Sequence, residues 1–234
     1  MSHFPLDSTI DLGKGVTVPA AQVVEVLGPI LTAERKRKID AVVTSRQFSV
    51  AVVLESIYDR GNISAVMRTA EGMGFSHFHV IETQEKFKEA NRVTQGADKW
   101  VELQKWKTTR ECVASLKAKG FRICVTSLEA AKPIHELDVT TPLAYVLGNE
   151  KEGVSKEMLE LADERIIIPM QGFVQSYNIS VAGALGLYHI HEARRQKGLS
   201  ATDLDDKQQE TLRAHYYLRS LDSGYDILLD KLSR

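Results

Sequence analysis

The chain has 234 residues, 43% hydrophobic and 26% charged, an ordinary composition for a soluble globular protein. Its 30 basic and 31 acidic side chains leave a formal net charge of -1, so any hold on nucleic acid must come from a local basic patch. No apolar run approaches the roughly 20 residues of a membrane span, no apolar signal core opens the chain, and Cys112 and Cys124 lack metal or redox spacing; a reduced, cytoplasmic setting with neither metal nor membrane partner is expected.

Residues 1–28, with Gly13, Gly15, Gly28 and two prolines, read as an arm or loosely packed extension. Thr32 can cap a helix whose apolar side is Ile39, Val42 and Val43. Its first turns carry Arg35, Lys36, Arg37 and Lys38. Positive charge there opposes the helix dipole, so the cluster does not serve helix stability. It is either a solvated face or a patch that contacts phosphates.

Ser49–Ser56 has the pattern of a buried strand. A turn at Ile57–Gly61 leads to Asn62, a candidate cap for a helix over Ile63–Met73. Further short strands are expected at His77–Glu82, Trp100–Trp106, Phe121–Ser127, Leu143–Leu147 and Arg165–Met170, with a polar, irregular loop over Thr83–Lys99. Helices fall at Thr108–Lys119, ended by Gly120, and at Ser155–Ala162, capped by Ser155. A long helix follows the last strand, and Asp203–Ser220 is another; the tail beyond it is left unassigned. Strands alternating with helices imply an α/β fold with a mainly parallel sheet covered on both faces.

Three constellations could carry chemistry. In the first, a capping Asn62 leaves Arg68 about two turns into its helix, where a long side chain can reach back toward the carboxyl ends of the strands, the ligand-binding edge of open α/β sheets. The plainer reading is a cap plus a surface arginine. In the second, Leu147-Gly-Asn-Glu-Lys-Glu-Gly153, a strand ending in glycine lets a ligand approach the backbone and leaves Glu150 at the sheet edge. An ordinary turn with solvated charges reads the same way.

The third constellation is Gln175, Ser176, Tyr177 and Asn178 at a helix start, where Ser176 and Asn178 are both competent caps. The helix that follows holds Ala182, Gly183, Ala184 and Gly186. So many small residues suggest close packing on another backbone, within the fold or across a dimer interface. No P-loop and no G-x-G-x-x-G follows the first strand. His77, His79, His189 and His191 read as structural.

Taken together, N-I-S-A-V-M-R-T-A at 62–70, L-G-N-E-K-E-G-V-S at 147–155 and I-P-M-Q-G-F-V-Q-S-Y-N-I-S-V-A at 168–182 resemble, in content, order and spacing, the SpoU class of the SPOUT RNA methyltransferases. The likeness covers roughly 48–197. A narrower likeness is to the tRNA guanosine-18 2′-O-methyltransferases of that class, which also carry a basic helix before the first strand and helices after the catalytic domain.

The resemblance implies S-adenosylmethionine as cofactor, tRNA as substrate, a deep trefoil knot around 148–182 and a homodimer. It implies an N-terminal arm and basic helix (1–47), a catalytic domain (48–197) and a C-terminal helical extension (198–234). Arg68 would be the catalytic residue and Asn62 would position it. Glu150 would line the site, and Ser176 and Asn178 would order the loop and the reacting ribose. Thr126, Leu147, Gly148, Ile167, Ile168 and Met170, with Ser176 and Tyr177, would hold the cofactor. Arg35, Lys36, Arg37, Lys38 and Arg60 would meet the RNA.

One departure is Arg60-Gly61 before Asn62, where close relatives often have a Pro-His or Lys-Pro-His run. Alternatives within the class are ribosomal RNA or the tRNA wobble nucleotide as substrate. An alternative from another class is a catalytically silent RNA-binding or assembly factor, against which the presence of all five site residues argues.

Overall fold

The computed structural model describes residues 3–13, 15–82, 96–129 and 131–233. In chain order it has strands β1 (Thr9–Asp11) and β2 (Thr17–Pro19), helices α1 (Ala20–Leu27) and α2 (Ala33–Val43), then β3 (Gln47–Glu55), α3 (Arg60–Gly72) and β4 (Phe75–Ile81). After a 3-10 turn at Ala97–Trp100 come β5 (Glu102–Trp106), α4 (Thr109–Ala118), β6 (Arg122–Thr126), the two-residue β7 (Lys132–Pro133) and β8 (Leu143–Leu147). The chain continues through α5 (Lys156–Leu161), β9 (Glu164–Ile167), α6 (Ile179–Gln196), α7 (Asp206–Ser220) and α8 (Gly224–Leu232).

Residues 1–3 and 47–200 form one compact unit. Its sheet runs β5-β4-β3-β8-β6-β9-β7 with every pairing parallel. A parallel sheet needs cover on both faces, and β3 meets that demand with nine consecutive buried residues. Its side chains divide alternately between two cores. Val50, Val52 and Leu54 pack with Ile63, Val66 and Met67 of α3 and Leu187 and Ile190 of α6. Ala51 and Val53 pack with Cys112 and Leu116 of α4 and Met158 of α5.

Residues 4–46 and 201–234 form a second unit. The 1–28 stretch is not a loose arm: β1 and β2 pair as an antiparallel hairpin, and Val23 and Leu27 of α1 are fully buried. Thr32 caps α2 as expected, its hydroxyl accepting from the Arg35 amide at 3.1 Å, and Ile39 and Val43 are buried. The tail that the sequence left unassigned forms α8, which buries Leu228. Among the described residues no helix is long and apolar enough to cross a membrane.

Smaller differences follow from residues that fit two states. The strand expected from Trp100 starts at Glu102 because a 3-10 turn takes Ala97–Trp100. The last strand ends at Ile167, three residues early, since Pro169 has no amide to continue a ladder. The loop expected over 83–99 lies, as far as residue 95, outside the described residues.

Candidate active site

The carboxyl ends of β3, β8, β6 and β9 lie side by side, and the candidate residues gather on the loops that leave them. After β8 the chain makes a tight reversal. Asn149 and Gly153 exchange both backbone hydrogen bonds, at 2.8 and 2.9 Å. Gly148 is obligatory there, because a Cβ would stand 2.2 Å from the Gly153 carbonyl carbon.

The hairpin is held at three points. The Asn149 amide donates to the Ser56 carbonyl at 2.8 Å, at the end of β3 where Ser56 adopts a left-handed φ of 52°. At its far end Ser155, the cap of α5, donates from its backbone N–H to Glu55 Oε2 at 2.7 Å and from its hydroxyl to Oε1 at 2.8 Å. Thr109 also donates to Glu55 Oε1, at 2.5 Å. Glu55 is only 2% exposed, so these donors satisfy a buried carboxylate.

Glu150, at the tip, is the third point. It accepts from the backbone amides of Tyr58 at 3.0 Å and Asp59 at 3.2 Å, and from Asn62 Nδ2 at 3.0 Å. Partial burial pushes its carboxyl up, but the bonds from Asn62, Tyr58 and Asp59 outweigh that and hold it below the usual carboxylate range. An ionised Glu150 therefore binds the β3–α3 turn to the hairpin.

Asn62 is not the helix cap. Asp59 fills that role, accepting from the Gly61 amide at 2.7 Å, and α3 starts at Arg60. Asp and Asn are equally good caps, and the earlier one wins because Asn62 is drawn to Glu150. Asn62 is buried and Arg68 exposed. Six residues apart on a helix of about 3.6 residues per turn, they lie on different faces. The structure thus joins Asn62 to Glu150 and places Arg68 away from that pair.

Beyond β9, residues 168–178 belong to neither strand nor helix. Ile168 packs half-buried against the core, Met170 is half-buried, and Ser176 and Tyr177 are exposed. Asn178 caps α6, its Oδ1 accepting from the Ser180 amide at 2.8 Å and hydroxyl at 2.6 Å. Thr126 donates to the Val146 carbonyl at 3.0 Å, fixing the end of β6 beside buried Leu147.

The small residues of α6 are explained inside this chain. A Cβ on Gly183 would stand 2.8 Å from Val66 of α3, and one on Gly186 only 2.2 Å from the Tyr145 hydroxyl. That hydroxyl, fully buried and with its acidity suppressed by burial, donates to the Ala182 carbonyl at 3.0 Å. On α2, Arg35, Arg37 and Lys38 are exposed and Lys36 is half-buried, as is Arg60 on α3.

His79 stays structural: it is buried in β4, accepts from Trp106 Nε1 at 2.9 Å, and burial drives its pKa down to about 2. Glu55, Asn149, Tyr58 and Asp59 escaped sequence reasoning. The signal for Glu55 was a carboxylate closing an otherwise apolar buried run.

The sequence matches the model of the SpoU rRNA Methylase family over residues 49–188. A tRNA (guanosine(18)-2′-O)-methyltransferase of Borreliella burgdorferi is 36% identical over 193 residues, 82% of this chain and 88% of that protein. Among solved structures, the A. aeolicus TrmH/SpoU tRNA modifying enzyme superposes with a TM-score of 0.74 at 30% identity, covering 80% of this chain and 97% of the other. The SpoU methyltransferase AviRb of Streptomyces viridochromogenes, solved in complex with the cofactor AdoMet, shares the fold with a TM-score of 0.57 at 23% identity over 62% of this chain and 59% of its own.

Proposed function

The chain belongs to the SpoU rRNA methylase family, and we propose that it transfers the methyl group of S-adenosylmethionine to the 2′-hydroxyl of a tRNA ribose, at guanosine 18 of the D-loop. The observation that carries this reading is the hydrogen bond from Asn62 to Glu150. It brings two of the family's motifs, far apart in sequence, onto one spot at the carboxyl edge of the sheet. The substrate and position follow the named activity of the relatives.

The residues present fit the cofactor. Half-buried Ile168 and Met170 offer an apolar bed for an adenine. The 168–178 segment has left the sheet ladder, so its main-chain groups are available to a polar ligand. These residues, with Thr126, Leu147, Gly148, Ile167, Ser176 and Tyr177, would hold it. S-adenosylmethionine supplies a methyl group activated by its sulfonium.

Arg68 orients the RNA and stabilises charge at the 2′-oxygen as its proton leaves. A guanidinium keeps its own proton, so these roles suit it better than that of a base. Glu150 acts through Asn62, keeping the start of α3 against the hairpin. The Asn178 Oδ1 is used by its cap, which leaves its amide N–H group to meet the ribose.

The basic turns of α2 (Arg35, Lys36, Arg37 and Lys38), with Arg60, meet tRNA phosphates. Two copies associate through α6, whose Val181, Leu185 and Tyr188 are 45, 42 and 57% exposed in a row on one face. The chain around 148–182 passes through itself as a trefoil knot, and the enzyme works in the cytoplasm, where tRNA is processed.

The test incubates the protein with labelled S-adenosylmethionine and either bulk tRNA or ribosomal RNA, then maps the modified nucleoside. Label at a D-loop guanosine is the expected result. Label only in ribosomal RNA or at a wobble nucleotide, or tight RNA binding without label, overturns it. In the same assay Arg68→Ala abolishes transfer while cofactor binding persists.

A further inference from the structure

Tyr58 is a large aromatic side chain left 46% exposed on the turn between β3 and α3. Its position is fixed all the same. Its backbone N–H donates to Glu150 Oε2, and that of the next residue, Asp59, to Oε1. The ring is therefore tied to the same carboxylate that receives Asn62. The Lys151 ammonium, one residue beyond Glu150, lies 5.6 Å from the ring centroid.

Of the acids beside this pair, Glu150 accepts three internal hydrogen bonds and Asp59 Oδ1 caps α3, while Glu152 is exposed. What the turn offers outward is a partly exposed aromatic ring with a cation over one of its faces. RNA-binding sites use that combination for an unstacked base and the phosphate next to it.

We propose that Tyr58 and Lys151 form a stacking platform for an RNA nucleobase that flanks the methylated ribose, the base lying on the Tyr58 ring and Lys151 pairing with its phosphate. The inference deepens the proposed function and rests on it. On that reading the motifs joined by the Asn62–Glu150 bond border the site of methyl transfer, and the main chain that carries the ring touches Glu150, so a base flanking the methylated ribose is the one brought to it. Stacking tolerates any base, so the platform sets the position of the RNA strand rather than its sequence. Two residues beyond Tyr58, Arg60-Gly61 stands where the resemblance leads one to expect a Pro-His run, so contacts to RNA along this turn differ from that pattern.

The experiment measures three quantities for Tyr58→Ala, Tyr58→Phe and Lys151→Ala: affinity for an unmodified tRNA transcript across a salt series, affinity for S-adenosylmethionine, and the kinetics of methyl transfer. Tyr58→Ala is expected to weaken tRNA binding or raise its KM roughly 5- to 150-fold, with affinity for S-adenosylmethionine unchanged. Tyr58→Phe, which keeps the ring face, restores most of the loss. Lys151→Ala lowers the slope of log affinity against log salt by about 1, whereas Tyr58→Ala leaves that slope as it was.

Wild-type tRNA affinity in Tyr58→Ala overturns the platform. So does equal damage in Tyr58→Phe, which points to the hydroxyl, or a parallel loss of S-adenosylmethionine affinity, which points to a structural ring. If the wild-type protein binds tRNA but methylates none, the function reading fails, and the binding comparison alone still decides the platform.

Discussion

Gly186 and Tyr145 illustrate how single residues carry this site. The buried Tyr145 hydroxyl donates to the Ala182 carbonyl only because Gly186 leaves room, a Cβ there standing 2.2 Å from that oxygen. Gly186→Ala must therefore displace a fully buried ring. Overpacking of this kind costs about 1–3 kcal/mol, which at this chain length lowers Tm by roughly 2–12 °C. Tyr145→Phe loses one hydrogen bond, about 1 kcal/mol. Because a ring displaced by Gly186→Ala has already lost that hydrogen bond, the double variant is expected to lose less than the sum of the singles; thermal denaturation of the four proteins checks it. An additive double variant would show that Gly186 is small for another reason. The small residues of α6 were plain in the sequence, but their partner was not, because a glycine carries no sign of which side chain fills its place.

Among elements, the 148–155 hairpin is the piece that makes the site. Its ends are fastened to consecutive residues where β3 ends: Asn149 to the Ser56 carbonyl and Ser155 to the Glu55 carboxylate. Its tip then grips the β3–α3 turn through Glu150. Glu55→Ala orphans the buried Thr109 hydroxyl and takes the partner from both donors of the exposed Ser155, at a cost of about 1–3 kcal/mol, a fall in Tm of roughly 2–12 °C. It also frees one end of the hairpin, so affinity for S-adenosylmethionine is expected to drop with it. Calorimetric melting and titration of the cofactor check both, and an unchanged Tm would remove Glu55 from this role. Helices and strands here were legible because their periodicity is local. The misplaced cap of α3 was not, because Asp59 and Asn62 are equally able caps and only Glu150, 88 residues from Asn62 in sequence, separates them.

At the scale of the whole molecule, α6 has two distinct sides. Gly183 and Gly186 face α3 and Tyr145 within the chain, whereas Val181, Leu185 and Tyr188 stand open to solvent. The close packing that sequence alone allowed either within the fold or between copies thus divides by face: the glycines serve the fold, and the larger apolar residues serve the inferred dimer. Leu185→Lys, at a position that touches no buried core, is expected to turn a dimer into a monomer in sedimentation velocity while leaving Tm at low concentration nearly unaltered. A dimer that persists would place the interface elsewhere.

By itself the sequence determined the α/β class, the buried parallel strands, the caps at Thr32 and Ser155, and, through three ordered motifs, the family. Those signals are short-range or travel intact in a motif. Tertiary structure alone decided that β8 inserts between β3 and β6, that residues 9–19 and 20–27 form a hairpin and a helix, that Glu55 fastens the 148–155 hairpin, and that Asn62 answers to Glu150 rather than to its own helix end. Each of these depends on a partner distant in sequence. A hydrogen-bonding side chain has the same local pattern whether it caps a helix, meets solvent or spans the sheet edge, and only the partner brought to it distinguishes the three.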